Sequence, residues 1–117
     1  MDRTPAHLAD MLAFVRELRG FAAHHTAASF TADRILCLAT EKLFINLGEA
    51  AGRIEPTVAV TLPGVPWRQI IGLRNILAHG YEQVTHEVLF RTIETELPGL
   101  EDVLSRHVAA QSPARPA

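Results

Sequence analysis

One stretch of the sequence concentrates groups that can do chemistry: residues 67–81, WRQIIGLRNILAHGY. It sets Arg74, Asn75, His79 and Tyr81 in or just beyond an otherwise apolar, helix-length segment. Asn75 and His79 stand at i, i+4 and are neighbours on one helical face. Arg74 is one step round the helix, and its long side chain can lean over that face. Tyr81 follows Gly80, a residue placed to end the helix. A fixed cation, an amide, an imidazole and a phenol thus converge on one helix terminus. Arginine binds phosphate oxygens bidentately and keeps its proton. Histidine can take or give a proton near neutral pH. The structural alternative is plain. A histidine in a last turn stabilises the helix dipole by about 0.3–1 kcal/mol, and Arg74 can simply pair with Glu49 or Glu82.

The elements that must position these groups read as helices. Thr4-Pro5 resembles a cap followed by a first-turn proline, and Leu8, Met11, Leu12, Val15 and Leu18 recur at helical spacing up to Gly20. A second helix is expected from a cap near Thr31. Its main apolar stripe is Leu36, Ala39, Leu43, Leu47, Ala50 and Ile54, with Ile35, Leu38 and Ile45 as a second stripe beside it. A helix apolar on two sides packs on two sides, within its own bundle or against a partner subunit. Residues 55–66 read as a loop. A third helix starts at Pro66-Trp67 and stops at Gly80. Thr85 can cap a fourth holding Val88, Leu89, Phe90 and Ile93. Pro98-Gly99 interrupts, and a last helix runs through Leu100, Val103, Leu104 and Val108. No strand pair is convincing. The class is all-α, a bundle of four or five helices. Residues 1–110 form a single helical domain and 111–117 a loose tail.

Composition excludes much. The chain has 117 residues, room for one core. Its hydrophobic fraction of 48% is too high for a disordered chain. A net charge of −2 and a pI near 6.3 argue against a generic basic coat for nucleic acid, though not against a local basic cleft. One cysteine, Cys37, excludes a disulfide framework and a Cys-based zinc site, and favours a reducing, cytoplasmic compartment. It lies on an apolar stretch and reads as a small core residue. No apolar run approaches the roughly 20 residues of a membrane span, and Asp2 and Asp10 flank apolar pieces too short for a signal peptide. The glycines match no phosphate loop or dinucleotide pattern. His24 and His25 are adjacent, so on a helix they point about 100° apart and cannot share one metal. His7, His86 and His107 lack a ligand partner at short spacing. No metal site and no cofactor are expected.

Residues 74–81 have the form R-N-x-x-x-H-x-Y. This resembles the R-x4-H-x-Y signature of the HepT-like toxins of the HEPN superfamily. Leu47-Gly48-Glu49-Ala50-Ala51 is similar to that family's G-E-A segment at the end of its long second helix. Val65-Pro66-Trp67 with Ile71-Gly72 resembles its P-W…G-x-R-N run-up, and Leu97-Pro98-Gly99-Leu100 its L-P-x-L break. The likeness spans Thr31 to Leu104. It departs at Glu82-Gln83-Val84-Thr85, whose last place is often acidic in the family.

The resemblance implies an HEPN-like helical homodimer acting as a metal-independent endoribonuclease. It also implies a toxin–antitoxin pair with a small nucleotidyltransferase that adds AMP to Tyr81. Arg74 and His79 would be catalytic, with Asn75 orienting His79 or the phosphate. RNA cleavage needs a base for the 2′-OH, an acid for the 5′-oxygen and positive charge at phosphorus. One histidine per chain cannot be base and acid at once, whereas two chains can supply one each. Two other classes compete: a non-catalytic helical module that partners a nucleotidyltransferase, and a purely structural helical dimer.

Overall fold

The structure is a computed structural model that describes residues 2–80 and 83–111. Its elements are α1 (Thr4–Ala22), α2 (Ala27–Ala32), α3 (Arg34–Gly52), α4 (Pro56–Ala59), α5 (Trp67–His79), α6 (His86–Thr95) and α7 (Leu97–Gln111). Five are long and two are short, and there is no strand among the described residues. The all-α expectation holds. The expected count of four or five is met by the long helices, and α2 and α4 are additions.

In α1, Leu8, Met11, Val15 and Leu18 are fully buried on one face, as their spacing predicts. Thr4 is not the cap. It is the first helical residue, and the Asp2 carboxylate accepts its N–H at 2.9 Å. That hydrogen bond holds the Asp2 carboxyl below its ordinary pKa. Gly20 does not stop the helix, which continues to a buried Ala22. Burial there outweighs the roughly 1 kcal/mol propensity cost of a mid-helix glycine.

The expected cap at Thr31 is also wrong. Thr31 lies inside α2, its hydroxyl donating to the Ala27 carbonyl. Thr26 and Ser29 form a reciprocal capping box at the start of α2, and Asp33 caps α3 by accepting from Leu36 N–H at 3.0 Å. Two caps seven residues apart, Thr26 and Asp33, start two helices where the sequence suggests a single one.

α3 is the central helix, packed on α1 on one side and most extensively on α5 on the other. Its deepest stripe is Cys37, Thr40, Phe44, Leu47 and Ala51; Leu36 and Leu43 of the expected stripe are only half-buried. In the second stripe, Ile35 is 81% and Leu38 48% exposed, whereas Ile45 packs against the chain's own core. Cys37 is buried under α2, with its Sγ 3.3 Å from the Phe30 carbonyl, and burial pushes its thiol pKa up.

Residues 55–66 contain the single turn of α4 rather than a plain loop. The Trp67 indole straps it down by donating to the Ala59 and Leu62 carbonyls at 3.1 and 3.2 Å. α5 begins at Trp67 and ends at Gly80, both as expected. Thr85 caps α6 by accepting from Val88 N–H. Leu89, Phe90 and Ile93 enter the core, and Val88 stays 52% exposed. Pro98-Gly99 does not interrupt a helix. It occupies the first turn of α7, where proline's missing N–H costs nothing. α7 reaches Gln111, and the rest of the expected tail, 112–117, lies outside the described residues.

Candidate functional site on helix 5

α5 buries Ile70 and Leu77 and leaves Asn75 and His79 exposed, with Arg74 half-buried between the two faces. The position of Arg74 depends on Gly48. A Cβ on Gly48 would fall 2.1 Å from the Arg74 Cβ, 2.7 Å from its Cγ and 3.1 Å from the Ile70 carbonyl oxygen. Only a residue with no side chain lets the stem of Arg74 lie directly on α3. The guanidinium then emerges beside Glu49, the next residue of α3.

There Arg74 Nη2 sits 3.6 Å from a Glu49 carboxylate oxygen, and Nη1 donates to Asn75 Oδ1 at 3.1 Å. Its Nε is buried with no hydrogen-bond partner among the described residues. A buried unsatisfied donor costs about 1–3 kcal/mol and calls for an explanation. Asn75 Oδ1 thus accepts from Arg74, and no hydrogen bond joins Asn75 to His79 among the described residues. The ring of His79, one turn further on, has no hydrogen-bond partner among the described residues. Gly80 closes the helix with its N–H donating to the Ile76 carbonyl, at φ −146° and so without a left-handed turn. Tyr81 and Glu82 lie outside the described residues.

Arg74, Asn75 and Glu49 are thus joined at the α3–α5 contact, and His79 lies exposed at the end of α5. Of the two carboxylates that the structural alternative offers Arg74, Glu49 is engaged, and Glu82 is not among the described residues. A second pair escaped the sequence: His86 Nε2 lies 2.6 Å from Glu41 Oε2, joining α6 to α3. The two residues are 45 apart, and no short-range spacing signals a contact at that distance. Among the described residues, no three His, Cys, Asp or Glu side chains gather closely enough to hold a metal ion. No described helix is long and apolar enough to cross a membrane. An apolar groove of about 380 Å³, lined by Phe44, Leu47, Ile70, Leu73 and Leu100, carries none of the motif residues.

Fold and site together define a small helical bundle whose fifth helix displays an arginine–asparagine pair one turn before an exposed histidine. The chain belongs to the ribonuclease HepT-like family, whose model matches residues 11–107. It is similar to a protein of Methanocaldococcus jannaschii described as a candidate RNase. The two are 26% identical over 96 residues, which is 82% of this chain and 88% of that one. A candidate RNase of Caldanaerobacter subterraneus is 32% identical over 72 residues, 62% of this chain and 64% of that one. A protein of Thermococcus cleftensis described as a candidate ribonuclease HepT is 25% identical over 95 residues, 81% of this chain and 86% of its own. No solved structure gives a significant match.

Proposed function

We propose that this protein is a metal-independent endoribonuclease toxin, active as a homodimer and neutralised by a small nucleotidyltransferase antitoxin that adds AMP to Tyr81. One observation carries the reading. The Arg74 guanidinium is held at the surface by Glu49 and Asn75, one turn before an exposed imidazole that has no hydrogen-bond partner among the described residues.

The chemistry follows from these groups. Arg74 binds a phosphate oxygen and stabilises charge on the pentacoordinate phosphorus. His79 of one copy takes the proton of the 2′-OH as that oxygen attacks phosphorus. His79 of the second copy donates a proton to the departing 5′-oxygen. The products are a 2′,3′-cyclic phosphate and a free 5′-hydroxyl. The exposed Ile35 and Leu38 on α3 support a dimer, since an apolar patch left open on a monomer is a liability.

A second reading has its own observation. The ion pair to Glu49 gives Arg74 a structural job, which favours a non-catalytic module that binds the nucleotidyltransferase. Incubating the purified protein with structured RNA in EDTA, beside a His79→Ala control, separates the two. Cleavage by the parent and none by the variant supports the nuclease. Equal cleavage by both, or none by either, favours the module.

A further inference from the structure

Helix α3 carries two carboxylates about two turns apart, and each holds a basic group from one side of the motif. Glu49 holds Arg74 at its start. Glu41 holds His86 beyond its end, at 2.6 Å, with the two side chains 21% and 39% exposed. Neither Glu41 nor His86 belongs to the R-N-x-x-x-H-x-Y pattern. His86 is the first residue of α6, directly after the Thr85 cap.

Between His79 and His86 the described backbone bonds only locally: Gly80 N–H to the Ile76 carbonyl, and Gln83 N–H to the Gly80 carbonyl at 2.9 Å. Among the described residues, His86 to Glu41 is the one hydrogen bond from residues 80–86 to another long helix. His79 meanwhile has no hydrogen-bond partner among the described residues to orient it. Its placement must come from the end of α5 and from whatever fixes the chain that follows.

We propose that Glu41 and His86 are a positioning pair for the cleavage site: by pinning the first turn of α6 to α3, they fix the end of α5 that presents His79. The proposal rests on the nuclease reading above. A proton-transfer group tolerates little displacement, and a misplacement of about 1 Å costs on the order of 100-fold in rate.

The test uses His86→Ala, Glu41→Ala and His86→Gln. The glutamine amide nitrogen falls near the place of Nε2 and can donate to Glu41. Three quantities are measured: kcat and KM on RNA, thermal unfolding, and the His79 ring resonance without RNA, assigned by its loss in His79→Ala. Both alanine variants should stay folded, lower kcat by about 10- to 100-fold with KM little changed, and move or broaden the His79 resonance. His86→Gln should restore both readouts. An unmoved His79 resonance in His86→Ala would overturn the proposal, and so would a glutamine variant as impaired as the alanine one. If the parent cleaves no RNA, the nuclease reading fails, and the resonance still decides whether the pair positions His79.

Discussion

Gly48 of α3 and Arg74 of α5 are packed so closely that a Cβ on residue 48 would lie 2.1 Å from the Arg74 Cβ. Gly48→Ala therefore sets two effects against each other. Alanine gains about 1 kcal/mol of helix propensity over glycine. Forcing a methyl against an immobile stem costs about 1–3 kcal/mol or more, and here the clash is with a Cβ and a backbone oxygen, neither of which can swing aside. The variant should be less stable in urea unfolding and should displace the Arg74 guanidinium from Glu49. A Gly48→Ala protein as stable as the parent would show that the two helices separate at little cost.

Arg74→Lys keeps the charge and loses the planar fork that meets a phosphate on two oxygens. RNA cleavage should fall by about 100-fold, the scale of losing one preorganised donor to developing charge. His79→Ala should abolish cleavage while shifting stability by no more than about 1 kcal/mol, the upper end of a surface histidine's interaction with the helix dipole. Single-turnover rates with matched unfolding curves check both.

Ile35 and Leu38 form the open part of α3, and Ile45 does not join them because it packs inward. Light scattering at micromolar concentration should report a dimer for the parent. Ile35→Glu with Leu38→Glu should give a folded monomer without nuclease activity. A monomeric parent would remove the two-histidine mechanism.

Glu101 on α7 accepts from Arg19 of α1 at 2.8 Å and also meets Arg16, and these contacts hold its carboxyl below the ordinary glutamate value. A lowered pKa in the folded state stabilises above the unfolded value and is lost as pH falls through the folded one. Glu101→Gln should therefore cost less than about 1 kcal/mol at neutral pH, as exposed pairs do. The difference from the parent should close below pH ~4. A gap that persists in acid would mean that packing, not charge, ties α1 to α7.

Tyr81 is the acceptor in the proposed neutralisation. AMP there would place a bulky anion near Arg74, occupying the phosphate clamp and repelling RNA. Tyr81→Phe should keep much of the cleavage and escape control by the nucleotidyltransferase. Intact mass after co-expression decides it. No added AMP, or the same addition on Tyr81→Phe, would mean that neutralisation works by binding over the cleft.

Local signals were enough for part of this protein. Helical periodicity, Pro66-Trp67 and Gly80 bound α5, and Thr85 opens α6, because caps, prolines and glycines act on their own few residues. The i, i+4 placement of Asn75 and His79 on one exposed face is likewise a property of any helix. Local signals also misled where two of them competed: Thr4 and Thr31 look like caps, yet Asp2 and Asp33 take the orphan N–H groups. That Arg74 meets Glu49 was open in the sequence, since the two lie 25 positions apart and touch only when α3 and α5 are laid together. The need for glycine at 48 and the contact of Glu41 with His86 depend on how separate helices meet. Such contacts join residues dozens of positions apart, and no periodicity within one helix encodes its distance from another.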